Sequence, residues 1–339
     1  MTKNRFQKIL KILLIVFIAW VLLLIVVFFA MKFGFTKTGG VIDDQSAYFA
    51  GLYKDSQSTG DGQRKDVAEK GWNDIQQIQE WIVVKNGILK DKEIISNVSQ
   101  KTGVPERLLI APLVVEQLRL MTSEREYFKK FFQPLSILGA QTQFSLGIYG
   151  IKEKTARDIE NNLKDNTSPY YLGPEYEHML DYDNSTTTIL VDSNSFEIIK
   201  KPINPTKNTN SSSSNITAST SSTTISTTTD ATTSTLLLTG SDAERIMRLT
   251  DKKDHTYSYL YAALYIKEIL TAWKKAGYDI SDRPEIVATV YNLGFPKSNP
   301  NPNPQVGGAE IQLNGQKYSF GSIAFYFYFS NEMQDVFNK

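Results

Sequence analysis

The sequence predicts a mainly α-helical protein in which one transmembrane helix precedes two helical lobes, separated by a disordered insertion. Three observations carry this prediction. An uncharged apolar run fills residues 12–31, and apolar residues recur at helical spacing in several stretches between residues 66 and 292. Between residues 205 and 235, 21 of 31 residues are Ser or Thr. No part of the pattern is rich in predicted strands.

The apolar run at residues 12–31 is long enough to cross a bilayer as a helix. Its 20 residues lie between Lys11 and Lys32, and a rise of ~1.5 Å per residue spans the ~30 Å hydrocarbon core. A cleaved signal peptide would have a shorter apolar core that ends in an A-x-A cleavage pattern, which residues 28–33 lack. Basic residues are denser before the run than after it. This predicts a single-pass protein in the cell membrane, with a cytoplasmic N-terminus and an extracytoplasmic body.

Composition excludes several classes of function. The chain has 37 basic and 36 acidic residues, and residues 1–37 hold six of the basic ones, so the body is mildly acidic. Because proteins that bind nucleic acid concentrate positive charge on the folded domain, we expect no nucleic-acid partner. The absence of Cys excludes disulfides and thiolate sites. With only His178, expected to pack, and His255, expected at the surface, we expect no metal and no cofactor.

The body is expected to be helical on both sides of the insertion. Gly103 ends one helix, and Pro105 opens a strongly apolar one that Pro112 is expected to kink. Residues 318–329 are aromatic enough to fit a helix or a strand. Helices are predicted over residues 66–84, 90–102, 106–121, 123–132, 152–164, 259–276 and 283–292.

The Ser/Thr-rich insertion divides the chain into unequal parts. Such a stretch cannot bury enough apolar surface to offset its chain entropy, so we predict that it is disordered. The predicted parts are a cytoplasmic tail with the transmembrane helix at residues 1–37, a stalk at 38–64, a first domain part at 65–180, the insertion at 181–240, and a second domain part at 241–339.

Glu116 is the most unusual side chain of the body, because it follows the apolar run at residues 108–115. Burial favours the protonated form of a carboxyl group, which can then donate a proton near neutral pH. The alternative is a structural ion pair with Arg119, three residues further along a predicted helix. The helical pattern favours this structural alternative, although it leaves both interpretations open.

Three blocks of sequence, in order along the chain, resemble one known family. Residues 94–117 read IISNVSQKTGVPERLLIAPLVVEQ, residues 145–156 read SLGIYGIKEKTA, and residues 287–295 read VATVYNLGF. They are similar to the helix before the catalytic Glu, the S-x-G-L-M-Q-I-x-P-x-T-A block and the A-Y-N-x-G block of the lytic transglycosylase and goose-type lysozyme-like superfamily. The resemblance covers residues 92–164 and 241–296.

The resemblance implies a lysozyme-like, two-lobed helical fold and an enzyme that cleaves peptidoglycan glycan strands. Glu116 would be the single acid/base, protonating the glycosidic oxygen between N-acetylmuramic acid and N-acetylglucosamine and then deprotonating the muramic C6 hydroxyl to close a 1,6-anhydro ring. Glu124 and Glu126 are candidates for the second carboxylate that hydrolysis by a muramidase needs. The residues implied in sugar binding are Gln117, Ser145, Gly147, Tyr291 and Asn292.

The chain also departs from the family's pattern. Gln117 stands where the family has Ser, Gly150 where it has Gln, and Glu153 where it has Pro. Gln141 and Gln143 are close enough in sequence to replace the missing Gln. These departures favour a second hypothesis, an inactive lysozyme-like protein that binds peptidoglycan or serves as a scaffold. A third hypothesis is a surface adhesin that acts through its Ser/Thr-rich insertion.

Overall fold

The structure of the protein, a computed structural model, confirms the mainly helical fold class. The helix predicted at residues 123–132 lies outside the described residues, together with Glu124, Glu126, Gln141 and Gln143. The structure describes residues 11–15, 17, 18, 20, 22, 40–53, 60–122, 145–182, 188–192, 198–200, 235–294 and 299–337.

The apolar run at residues 12–31 is covered only in part. Its described residues are helical, and large side chains such as Phe17 and Trp20 are exposed. Within the part of the chain that the structure describes, no helix is both long enough and apolar enough to cross a membrane. The transmembrane helix therefore stays a prediction.

The described helices follow the predicted order, with two kinds of difference. The helix predicted over residues 66–84 is two helices, because Ile78 is extended between them. The helices at Ser46–Gly51 and Gly240–Thr250 were not predicted. The helices are α1 (Ser46–Gly51), α2 (Gly60–Ile75), α3 (Gln79–Lys90), α4 (Lys92–Thr102), α5 (Glu106–Thr122), α6 (Glu153–Lys164), α7 (Gly240–Thr250), α8 (Thr256–Lys275), α9 (Pro284–Leu293) and α10 (Phe320–Phe329).

Short antiparallel strands connect these helices. The strands are β1 (Val41–Ile42), β2 (Ser145–Leu146), β3 (Ile151–Lys152), β4 (Thr188–Asp192), β5 (Ile198–Lys200), β6 (Thr235–Thr239), β7 (Gly307–Gly308), β8 (Glu310–Leu313) and β9 (Gln316–Ser319). Strand β1 pairs with β7, β2 with β3 and β8 with β9, while β5, β4 and β6 form a three-stranded sheet in that order.

The region expected to be a disordered insertion carries strands at its two ends. Strand β4 pairs with β6 over five residues, from Thr188 opposite Thr239 to Asp192 opposite Thr235. Both strands contain runs of β-branched or aliphatic residues, which the Ser/Thr content of the stretch between them obscures in the sequence. Residues 201–234, which hold nearly all of that Ser/Thr content, lie outside the described residues.

Residues 40–53, expected to belong to a polar stalk, pack against the domain instead. Strand β1 pairs with β7, and the buried ring of Phe49 lies 4.9 Å from the ring of Phe325. Tyr53 donates a hydrogen bond of 2.9 Å to the buried carboxylate of Glu285 on α9. The polar composition of this segment concealed the two aromatic residues that hold it in place.

Helix α10 lies at the centre of the domain, and all ten of its residues are buried. It packs against α2, α5 and α9. The sequence could not distinguish helix from strand here, because a helix that is apolar on every side has no amphipathic period. Ser319 caps the start of the helix: its hydroxyl accepts a hydrogen bond from the Ser322 backbone amide in a capping box.

The backbone carbonyl groups at the end of α10 accept hydrogen bonds from Arg107, which is fully buried in the first turn of α5. Its guanidinium donates to the carbonyl oxygens of residues 327, 328, 330 and 332 at distances of 2.5–2.9 Å. Burial lowers the pKa of Arg107 to about 10, which still leaves the group charged at neutral pH. Arg107 therefore fixes the helix of Glu116 to the central helix of the core.

Replacing Arg107 with Met should destabilise the protein by about 3 kcal/mol or more, because several buried carbonyl groups lose their donor. Urea unfolding of the purified protein measures this change. Arg157→Met is the control, because Arg157 is 45% exposed in its ion pairs and should cost less than about 1 kcal/mol. Equal stability of the two variants would contradict this role for Arg107.

Candidate active site

Glu116 lies on α5 and is only 4% exposed. Arg119, one turn further along, binds both carboxylate oxygens: its Nε donates to Oε2 at 3.0 Å, and a terminal nitrogen donates to Oε1. The two alternatives that the sequence left open thus occur together, since Glu116 is both buried and ion-paired.

The carboxyl group of Glu116 packs against a tight turn between β2 and β3. Gly147 and Gly150 bound this turn, both with positive φ (66° and 62°), and the Gly150 amide donates to the Gly147 carbonyl at 3.3 Å. A Cβ atom on Gly150 would overlap Oε1 of Glu116 and lie 2.7 Å from its Cδ. The presence of Gly150, where the family has Gln, therefore has a physical explanation: only glycine leaves room for the carboxyl.

The turn is held between helices on both of its sides. Gln117 donates from its side-chain amide to the carbonyl of Ile148. On the other side, a Cβ on Gly147 would overlap the carbonyl of Leu249 and lie 2.8 Å from the Ser258 hydroxyl. Gln117 and Gly147, predicted to bind sugar, thus have packing roles in this structure.

Ser145 belongs to the strand that leads into this turn. It lies in β2, opposite Lys152 of β3. Its backbone therefore helps to define the hairpin that carries Gly147 and Gly150.

Tyr291 of α9 reaches the same turn from a third direction. Its hydroxyl donates to the carbonyl of Tyr149 at 3.2 Å, and its ring lies 5.0 Å from the ring of Tyr265. Burial raises the pKa of Tyr291 well above its usual value, and the nearby carboxylate of Glu116 raises it further. Tyr291 therefore stays neutral beside Glu116, with its hydroxyl bonded to the turn rather than to the carboxyl.

Asn292 lies next to Tyr291 in sequence, but its side chain is engaged elsewhere. Its Oδ1 accepts a hydrogen bond of 2.9 Å from the backbone amide of Ala309, just after β7. Successive residues of a helix point about 100° apart, so Tyr291 and Asn292 leave α9 in different directions. The structure thus brings Glu116, the turn and Tyr291 together, while Asn292 anchors the chain after β7.

The sequence did not predict the buried contacts that hold this turn in place. Tyr149 donates to the Leu109 carbonyl at 3.1 Å, and its ring lies 5.3 Å from that of Tyr259. The Tyr259 hydroxyl donates to Asp91 at 3.1 Å, and His255 Nδ1 lies 2.6 Å from the same carboxylate oxygen. No local signal could have paired Asp91 with residues more than 160 positions away.

His255 lies at the N-cap position of α8, as expected of a capping-region residue. Its side chain, expected at the surface, is only 22% exposed, because its ring is held against the carboxylate of Asp91. The side chain of His178, expected to pack, is 82% exposed and bonds to Asp181. Across the ranges that the structure describes, no group of three or more His, Cys, Asp or Glu residues is placed to hold a metal ion.

Comparison with known proteins adds no relative. No family model, no curated protein and no solved structure matches the chain. The resemblance of the three blocks therefore stays a prediction, and any functional argument depends on the geometry around Glu116.

Replacing Gly150 with Ala should cost more stability than the same change at Gly240. Both glycines have φ near 65°, so each alanine carries a similar backbone strain of about 1–2 kcal/mol. A Cβ at Gly240 meets open space, whereas one at Gly150 overlaps the carboxyl of Glu116. Urea unfolding should show an additional loss of about 1 kcal/mol or more for Gly150→Ala. Equal losses would mean that the Glu116 carboxyl does not occupy this position.

Proposed function

We propose that this protein is a membrane-anchored enzyme with a lysozyme-like, two-lobed fold that cleaves the glycan strands of peptidoglycan as a lytic transglycosylase. One observation carries the proposal: the buried carboxyl of Glu116 rests on Gly150, in a turn that Tyr291 also contacts. Residues from three distant blocks of the sequence thus meet at this turn. They are the same three blocks that resemble the family.

The proposed mechanism requires a single carboxyl group. Glu116 protonates the oxygen of the linkage between N-acetylmuramic acid and N-acetylglucosamine, then removes the proton from the muramic C6 hydroxyl as that oxygen closes on C1. For the first step the carboxyl must be neutral and must have an oxygen free of Arg119. We therefore propose that substrate binding displaces the Arg119 guanidinium from at least one of the two oxygens that it binds.

The proposed location follows from the apolar run at residues 12–31. A helix there would leave the N-terminus in the cytoplasm and the body outside, where peptidoglycan lies. Because residues 40–53 pack against the domain, few residues remain between the end of this run and the folded body. We therefore expect the enzyme to work close to the membrane surface.

The ion pair at Glu116 favours a second candidate function. A carboxylate that is 4% exposed and has both oxygens bound by Arg119 matches a structural ion pair as well as a resting acid. In that case the protein is an inactive lysozyme-like scaffold that binds peptidoglycan without cutting it. The two candidates differ in whether purified peptidoglycan is cleaved.

Replacing Glu116 with Gln should reduce peptidoglycan cleavage by about 100-fold or more, since the amide cannot donate the proton. Release of soluble sugar fragments from purified cell walls measures the activity. Glu93→Gln is the matched control, because Glu93 is exposed on α4 and should leave the activity unchanged. Circular dichroism must confirm that both variants fold. Undiminished cleavage by a folded Glu116→Gln protein would exclude Glu116 as the acid.

A further inference from the structure

A second concave site lies away from Glu116, where the end of α4, the last turns of α8 and the following loop meet. It is an open cavity of about 210 Å³, and Gly103, Lys267 and Asp279 contribute to its walls. None of the residues around the Glu116 carboxyl lines it. A cavity of this size admits a small ligand or the end of a larger one.

Lys267 is the distinctive residue of this cavity. It is half-buried on α8, and its Nζ lies 5.0 Å from the centre of the Tyr176 ring. Among the residues that the structure describes, no carboxylate forms an ion pair with it. The ring fixes the ammonium group but supplies no negative charge, so within the described part of the chain this cation has no carboxylate partner.

The other two charged groups of the cavity do not change its net charge. Lys274 and Asp279 face each other across 3.8 Å and are largely exposed, which makes a weak pair that cancels in charge. Asp279 also accepts a hydrogen bond of 2.9 Å from the Ser281 amide, which keeps its carboxylate engaged within its own loop. The cavity therefore carries a net charge of about +1.

The uncharged lining adds information about the shape of a ligand. Leu270 presents apolar surface to the cavity, buried Val104 lies behind the wall, and Thr271 contributes a hydroxyl. A ligand that matches this lining has one negative charge and a small apolar part next to it. The ammonium of a lysine acts as a point charge, which suits a monoanion without requiring the two-pronged geometry of an arginine site.

We propose that this cavity binds a small monoanionic carboxylate with a short apolar side chain, such as the C-terminal residue of a peptide, and that Lys267 is its charge partner. The carboxylate contacts the Lys267 ammonium, and the side chain lies against Leu270. This inference does not depend on the proposed glycosidase activity, because it uses no residue near Glu116.

Titration of the purified full-length chain in detergent with N-acetylalanine tests the proposal. Methyl NMR signals of Val104 and Leu270 should shift to saturation, while the neutral N-acetylalanine amide should leave them unmoved. Lys267→Met should weaken binding by about tenfold or more, because the ligand loses its charge-assisted contact. Lys267→Arg, which keeps the charge, should retain most of the affinity.

Lys275→Met is the matched control. Lys275 lies on the same helix but donates to the carbonyls of Pro169 and Tyr171, outside the cavity. Binding by this variant should be unchanged. Equal binding of the amide, unchanged binding by Lys267→Met, or no shift at any N-acetylalanine concentration would overturn the proposal. Shifts with inorganic phosphate but not with N-acetylalanine would overturn the assignment to a carboxylate.

Discussion

The backbone at the end of α10 imposes the constraint on which the rest of the domain depends. This helix is apolar on every side and fully buried, so its last carbonyl groups cannot reach water. Arg107 donates to those carbonyls and carries its charge into the core to do so. Because Arg107 lies on the same helix as Glu116, nine residues before it, the interaction that completes the core also fixes the position of the candidate acid.

The surroundings of Glu116 depend on close backbone approach rather than on side-chain complementarity. Gly150 lets the carboxyl rest on a turn, and Tyr291 and Tyr149 tie that turn to α9 and α5 through hydrogen bonds to backbone carbonyls. Burial raises the pKa of both tyrosines well above the usual value, so neither adds charge to the site. Arg119 supplies a positive charge that faces Glu116, and its guanidinium binds both carboxylate oxygens.

The sequence predicted the features that depend on local signals. Gly103 and Pro105 bracket a strong apolar run, and the helix predicted at residues 106–121 is α5 (Glu106–Thr122). The break at Ile78 was missed because apolar spacing continues through it. The conformation of α10 and the role of Gly150 are set by neighbours distant in sequence, so no local pattern could show them. The burial of Glu116 was predictable from its apolar run, whereas the turn beneath it was not.

The central claim is that one carboxyl group, Glu116, cleaves the glycan strand without a second carboxylate. The most direct test is mass spectrometry of the sugar ends that the purified protein releases from peptidoglycan. A single acid/base that closes the C6 hydroxyl onto C1 predicts 1,6-anhydro muramic ends, which lack the water that hydrolysis adds. Reducing muramic ends would contradict the single-carboxylate mechanism, and the absence of any released fragment would contradict the assignment as an enzyme.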